Sequence, residues 1–155
     1  MNDYLNEVEA LVQEIKAAFA DVPYPGDENI TGTTFPWDEG VSDYFRGTTQ
    51  EGHEVKNLRL HSAALSFFLP EAYHYYLPAF VIAVLQDPEE ADAISDSLVV
   101  DFSGRDRTRE IIQRLSPPQR RAMLRYFQFD PFTSGESFNS RLSRAISNLQ
   151  AHDKM

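Results

Sequence analysis

The chain has 155 residues, of which 42% are hydrophobic, and it carries 24 acidic against 14 basic side chains for a net charge of −10. That composition is typical of one globular domain, and the absence of cysteine excludes disulfides and thiolate metal ligands. The absence of cysteine favours the reducing cytoplasm. The longest apolar run, Leu77 to Leu85, is far shorter than the ~20 residues that cross a bilayer, so we expect a core segment there.

The first predicted element is an amphipathic helix over residues 4–19, where apolar side chains recur at intervals of three and four positions. Proline disfavours the helical conformation in the residue before it, so this helix should end before Pro23. Residues 21–36 hold three prolines and two glycines among polar turn formers, which predicts a long loop. A short helix is expected next, over residues 37–45.

The central segment SFFLPEAYHYYLPAF, residues 66–80, is the most aromatic part of the chain and is predicted to form the core. Three helices are expected in and around it, over residues 58–68, 70–77 and 79–86. Pro78 should separate the last two, because proline removes a backbone donor and crowds the preceding turn. Three aromatic side chains share one helix face and should be buried: Tyr73, Tyr76 and Phe80.

Two later helices begin with capping signals. Asp87 precedes Pro88 and two glutamates, so it can cap a helix whose first residue is proline. Ser116 and Gln119 have the spacing of a capping box, in which each side chain bonds the backbone amide of the other. The remaining helices are predicted over residues 88–100, 106–115, 117–128 and 136–150. Residues 98–102 could instead form a short extended segment.

The expected fold is therefore all-α, a multi-helix bundle in a single domain over residues 1–155, with basic helices in residues 105–155. Several of its segments resemble one family. The residues PYPG and NI after the first helix, SFFLPEAYHYYLPAF, ISDSL and LSPPQRRAMLRYF are similar to those of small, mainly bacterial proteins grouped as a domain of unknown function. The resemblance covers roughly residues 19–128 and implies a shared helical fold. It implies no activity, substrate or catalytic residue.

One short motif, from Glu71 to His74, places a carboxylate and an imidazole on adjoining positions of a helix face. Di-iron bundles use two such pairs with two further glutamates, and this sequence has one pair, so neither a metal nor another cofactor is predicted. The glycine loops of nucleotide-binding proteins and the G-x-S-x-G turn of hydrolases are also missing from the sequence. An enzyme with a groove near Glu71, His74 and Tyr75 is nevertheless one alternative.

The charges are distributed unevenly along the chain. Residues 1–101 hold nineteen Asp or Glu and four Lys or Arg, whereas residues 102–155 hold five and ten. Arginine binds phosphate groups well, so a nucleic-acid-associated protein is a second alternative. A net charge of −10 makes nucleic acid the less suitable partner, because the protein would repel a polyanion. The arginines that would contact it are Arg105, Arg107, Arg109, Arg120, Arg121 and Arg125.

The acidic half of the chain favours a third function. Its carboxylates lack the ordered spacing and the glycine of a calcium loop, but they can steer a basic protein toward a binding surface. Aromatic residues contribute much of the binding energy at protein interfaces. We therefore predict a non-enzymatic protein-binding factor, immunity-like or accessory, that docks on a basic partner. The predicted partner-binding residues are Trp37, His74, Tyr75, Glu89, Glu90, Asp92 and Asp96.

Overall fold

The computed structural model describes residues 2–91, 93–129 and 136–153, and within them it contains ten α-helices and no strand. The helices are α1 (Asn2–Phe19), α2 (Val41–Phe45), α3 (Val55–Leu60), α4 (Ala64–Phe67), α5 (Pro70–Gln86), α6 (Pro88–Ala91), α7 (Ile94–Ser103), α8 (Asp106–Arg114), α9 (Pro117–Phe129) and α10 (Glu136–Asp153). The prediction of an all-α fold is confirmed.

Helix α5 lies at the centre of the fold. Twelve of its seventeen residues are buried, which means that other elements cover it on nearly every side. It packs against α1, α3, α6, α7 and α8. Helix α10 lies against α7 and α9, and α9 lies against α1. The rings of Phe102 in α7 and Phe127 in α9 meet at a centroid distance of 5.2 Å, so these outer helices add to the same apolar core.

Helix α5 continues through Pro78, so the prediction that Pro78 separates two helices is wrong. Proline has no N–H to donate to the carbonyl of His74 four residues earlier, which weakens the helix at this turn. Burial of the side chains on both sides of Pro78 outweighs that loss. Tyr76 and Phe80, for example, both pack on Phe45 of α2, with ring centroids 4.8 and 6.1 Å away.

Other predicted helices have different bounds. Residues 58–68 contribute to two helices, α3 and α4, and residues 88–100 contribute to α6 and α7. Residues 98–102 are helical within α7, so the extended alternative is wrong. Leu98 and Phe102 are buried there while Val100 is exposed, which is the spacing of a helix with one face in the core.

Both predicted capping signals are confirmed. Asp87 Oδ1 accepts a hydrogen bond from the Glu90 amide at 3.2 Å. Gln119 Oε1 accepts from the Ser116 amide at 2.9 Å, and Ser116 Oγ accepts from the Gln119 amide at 3.4 Å. These bonds satisfy backbone donors that the first turn of a helix leaves unpaired.

The predicted loop over residues 21–36 is tied to the start of α5. The Leu69 amide donates to the Ile30 carbonyl at 3.0 Å, and Thr31 forms an isolated antiparallel bridge with Phe68. Ile30 is fully buried, so its side chain belongs to the core.

No helix in the described part of the chain has the length and apolar character that crossing a membrane requires.

Candidate functional site

A surface turn formed by residues 31–42, here called the aromatic turn, connects this loop to α2. Phe35 and Trp37 project from it and are 67% and 75% exposed, although both are large apolar side chains. Only residues from Val41 onward are helical, so the helix predicted over residues 37–45 is shorter than expected. The remainder of that segment forms hydrogen-bonded turns, with the Trp37 amide donating to the Thr34 carbonyl at 2.9 Å.

The carboxylate of Asp38 holds the aromatic turn together from inside. Asp38 is fully buried, and its Oδ2 accepts hydrogen bonds from Thr31 Oγ1 at 3.0 Å and from the Ser42 amide at 3.1 Å. Ser42 Oγ also donates to Oδ2, and the Gly40 amide donates to Oδ1 at 3.0 Å. Burial alone would raise the pKa of Asp38, but these hydrogen bonds outweigh it and leave the pKa below its ordinary value. Asp38 is therefore ionised at neutral pH and fixes the turn.

A polar cleft of about 480 Å³ lies beside the aromatic turn. The carboxylates of Asp27 and Glu28, the hydroxyl groups of the turn and the guanidinium of Arg46 line it. Arg46 also pairs with Asp43 at 3.4 Å, and both side chains are largely exposed. Residues of the aromatic turn, such as Thr34 and Ser42, line this cleft, so the turn that carries the two exposed rings borders a concave surface with acidic residues.

Tyr75, predicted to bind the partner together with Trp37, does not join it at the surface. It is only 8% exposed, because the ring of Tyr24 lies against it edge-on at a centroid distance of 5.7 Å. Tyr24 is itself fixed, since its hydroxyl donates to Asp27 at 2.6 Å and accepts from the Gly47 amide at 2.8 Å. The loop before the aromatic turn therefore covers Tyr75, which cannot serve as an exposed anchor.

The predicted acidic residues lie on other elements than Trp37. Glu89 is exposed on α6, and Glu90 on the same helix forms a weak ion pair with Arg59 at 3.9 Å. Asp96 is exposed on α7 and has a polar contact of its own. Asp92 lies outside the described residues.

A second concave feature, the α5–α8 cleft, lies between the start of α5 and the length of α8. Its volume is about 50 Å³. The residues that line it are Phe68, Pro70, Tyr73, His74, Arg107, Glu110, Ile111, Arg114 and Leu115. Of the three residues predicted for an enzyme groove, His74 lines the cleft. Tyr75 does not, and Glu71 is connected to it through a 3.3 Å pair with Arg114.

The hydrogen bonds of Gln119 define the protonation of His74. Gln119 Nε2 donates to the Ala18 carbonyl at 3.0 Å, so its Oε1 is the acceptor for the Ser116 amide and for His74 Nε2 at 2.8 Å. His74 Nε2 must then carry a proton. The pKa of His74 lies below its ordinary value. Burial lowers it most, the hydrogen bond to Gln119 raises it, and the charge of Arg114 lowers it further. The imidazole is therefore neutral at pH 7.

Nothing in the described part of the chain adds metal ligands to this imidazole, because no group of three or more His, Cys, Asp or Glu residues is placed to hold a metal ion there. Tyr73 instead donates to Asp101 at 2.8 Å. Burial raises the pKa of both side chains, and that of Tyr73 lies well above its ordinary value.

The six arginines predicted to contact a polyanion are engaged to different degrees. Arg107 lines the α5–α8 cleft, where its Nε lies 3.7 Å from Asp101. Arg120 Nη1 donates to the Leu115 carbonyl at 2.7 Å, and Arg125 pairs with Glu14 at 2.7 Å. Five of the six are exposed, and Arg120 is half-buried.

A protein-family model described as "Family of unknown function (DUF6714)" matches residues 7–151. The chain belongs to this family. The match confirms the resemblance seen in the sequence, and it extends beyond residues 19–128 at both ends. It includes the aromatic turn and the α5–α8 cleft, so both are features of the family region. No curated protein and no solved structure matches the chain.

Within this family region, neither Phe35 nor Asp38 is among the predicted site residues. The signal for them is weak but present, since Thr31, Asp38 and Ser42 are short polar residues of the kind that hydrogen-bond to nearby backbone in turns. Phe35 and Trp37 stand on either side of Pro36. The sequence thus places two large aromatic residues next to a proline, within a non-helical segment.

Proposed function

We propose that this protein is a non-enzymatic binding factor of the cytoplasm, immunity-like or accessory, that docks on a basic protein. The aromatic turn and the carboxylates around it form the docking surface. One observation carries the proposal: Phe35 and Trp37 are exposed on a turn that hydrogen bonds fix from inside.

The two exposed rings are suited to be anchors. Burying a large apolar side chain stabilises a protein or a complex by about 1.5–3 kcal/mol, and this protein leaves most of that unused at Phe35 and Trp37. Tryptophan is among the residues that most often dominate binding energy at an interface. A partner with an apolar recess would recover the burial.

The hydrogen bonds of Asp38 lower the cost of binding. A flexible loop loses conformational freedom when a partner orders it, and that loss opposes association. The aromatic turn is already ordered, because Asp38 bonds to Thr31, Gly40 and Ser42. The rings can therefore enter a partner without a folding step.

The charge of the surrounding segment favours a basic partner. Residues 21–54 contain eight Asp or Glu and one basic residue, Arg46. Asp27 and Glu28 line the polar cleft beside the rings, where a lysine or arginine of the partner would meet them. Complementary charges of this kind increase the association rate and select the partner.

The carboxylates of α6 and α7 supply a second, weaker contribution. Glu89 and Asp96 are exposed, and Glu90 is committed only to a weak pair with Arg59. Together with Asp92 they would attract the same basic partner from a distance and matter less once the complex has formed.

The proposal is tested by capturing the partner from the native host and measuring its binding to purified variants. We expect a basic protein whose affinity decreases by about tenfold or more with Trp37→Ala, as is typical of an interface hot spot. Leu5→Ala is the matched control, because Leu5 is a 64% exposed apolar residue on α1. Wild-type affinity of the Trp37→Ala variant would refute docking through the aromatic turn.

Charge reversal distinguishes the two acidic regions. Asp27→Lys with Glu28→Lys should decrease both the association rate and the affinity, whereas Glu89→Lys with Glu90→Lys should decrease mainly the association rate. If the association rate of the wild-type protein with its partner does not depend on salt concentration, electrostatic steering is excluded.

A further inference from the structure

The α5–α8 cleft involves none of the residues of the aromatic turn, and it has the features of a separate binding site. Its wall on α8 is one helix face, since Arg107, Glu110, Ile111 and Arg114 follow each other at intervals of three, one and three residues. Tyr73 and His74 of α5 lie on the other side. The cleft thus places two guanidinium groups and one carboxylate along an otherwise apolar recess.

The interior of the cleft is apolar and small. Phe68, Ile111 and Leu115 line it and are buried. A volume of about 50 Å³ holds only a few non-hydrogen atoms, because one water needs roughly 10–15 Å³ on the same measure. A short aliphatic chain fits this space.

The two arginines of the cleft differ in how firmly they are held. The guanidinium of Arg107 lies 5.5 Å from the centre of the Tyr73 ring, and it donates to the Leu65 carbonyl. Within the described residues the Arg114 side chain pairs with Glu71 alone, at 3.3 Å, and both side chains are more than two-fifths exposed. Exposed pairs of this kind contribute little stability, so Arg114 can turn to a ligand at small cost.

We propose that the α5–α8 cleft binds a small organic monocarboxylate, with its carboxylate on the Arg114 guanidinium and its short apolar chain against Ile111 and Leu115. A carboxylate accepts two parallel N–H bonds from arginine, a geometry that a neutral amide cannot reproduce with equal strength. Glu110 lies between the two arginines along α8 and would repel a second negative charge. The preferred ligand therefore carries one charge.

The experiment is a titration of the full-length protein with butyrate, followed by the amide resonances of Tyr73, His74, Ile111 and Leu115 in ¹H–¹⁵N spectra. We expect chemical shifts at these residues that change with butyrate concentration and reach saturation. Butyramide should bind about tenfold more weakly, because it lacks one charge-assisted hydrogen bond. Butyramide has the same chain length and no charge, so it isolates the carboxylate.

Two variants connect the binding to named residues. Arg114→Gln should weaken butyrate by about tenfold, while Arg141→Gln, the loss of an exposed arginine on α10, should leave it within about twofold of wild type. Glu110→Gln should strengthen butyrate, because it removes the negative charge beside the ligand. Thermal unfolding of each variant shows whether the fold is intact.

Several outcomes would overturn the proposal. One is the absence of saturable shifts with butyrate, and another is equal affinity for butyrate and butyramide, which would make the cleft an apolar recess only. A loss in Arg141→Gln as large as that in Arg114→Gln would mean that net charge alone attracts the ligand. If Arg114→Gln unfolds, Glu110→Gln decides the question, and weaker or unchanged butyrate binding in that variant would refute the site.

Discussion

The aromatic turn and helix α5 use aromatic residues in opposite ways. In α5 the rings of Tyr76 and Phe80 are fully buried, and apolar packing holds the element in place. In the aromatic turn the rings of Phe35 and Trp37 face water, while the carboxylate of Asp38 is the group that is buried. The stability of α5 depends on buried apolar surface, whereas that of the aromatic turn depends on hydrogen bonds to the Asp38 carboxylate. Aromatic residues in the sequence therefore do not by themselves indicate the core: those of α5 are buried, whereas Phe35 and Trp37 are exposed.

The largest loss of stability should come from removing a buried ring from the core around α5. Phe80→Ala in α5 should lower the free energy of unfolding by about 3–5 kcal/mol, because it removes a fully buried ring and leaves a cavity beside Phe45 and Phe68. Urea unfolding measures this difference. Phe35→Ala is the matched control on the aromatic turn and should change stability by less than about 0.5 kcal/mol. Equal losses in both variants would contradict the comparison.

Removing the buried charge of the aromatic turn should have the next largest effect. Asp38→Ala should lower the free energy of unfolding by about 2–4 kcal/mol, because it leaves the Ser42 amide and hydroxyl and the Gly40 amide without the carboxylate that accepts their hydrogen bonds. Urea unfolding again measures the loss, with Asp43→Ala as the control, since Asp43 forms an exposed pair with Arg46. Asp38→Asn keeps one acceptor oxygen and should lose less. A loss in Asp38→Ala no larger than in Asp43→Ala would show that the network does not hold the turn.

The parts of the fold that could be predicted from the sequence are those that depend on nearby residues. The cap made by Ser116 and Gln119 joins positions three apart, so the residue types alone indicate it. The apolar stripe of α1, with Val8, Val12, Ile15 and Phe19 buried, follows from helical periodicity in the same way.

The features that could not be predicted depend on residues far apart in the chain. Tyr75 is buried because Tyr24 folds over it, and Pro78 lies inside a helix because distant side chains cover α5. The spacing of Arg107 and Arg114 indicates one face of α8, but it does not indicate that α5 lies opposite. The Asp38 network is different, because Thr31 and Ser42 are only seven and four positions from Asp38; what the sequence does not indicate is the turn that brings both to one carboxylate.

The two regions should also respond differently to acid. Burial lowers the pKa of His74 in α5, so the unfolded chain binds a proton at higher pH than the folded protein does. The stability that this histidine contributes is complete above its ordinary pKa of about 6.5 and is lost as the pH falls through the lower pKa of the folded state. His53 and His61, both packed near Tyr44, have pKa values shifted in the same direction.

His74→Gln isolates this contribution, because glutamine can still donate to Gln119. Urea unfolding between pH 7 and pH 5 should show a smaller decrease in stability for the variant than for wild type. Asp101, whose pKa burial raises, is present in both proteins and cancels in the difference. Asp38 has a lowered pKa and should stay ionised across this range, so the aromatic turn loses stability only in stronger acid. Equal pH dependence in the two proteins would mean that His74 does not titrate differently on folding.

The smallest effect on stability should come from Trp37→Ala, and this variant separates function from folding. Trp37 is 75% exposed, so its loss should change the free energy of unfolding by less than about 0.5 kcal/mol in urea. Tryptophan fluorescence disappears with the only tryptophan of the chain, and circular dichroism therefore serves as the probe. A clearly destabilised variant would mean that the ring supports the fold, and a weakened partner interaction could then no longer be attributed to a lost anchor.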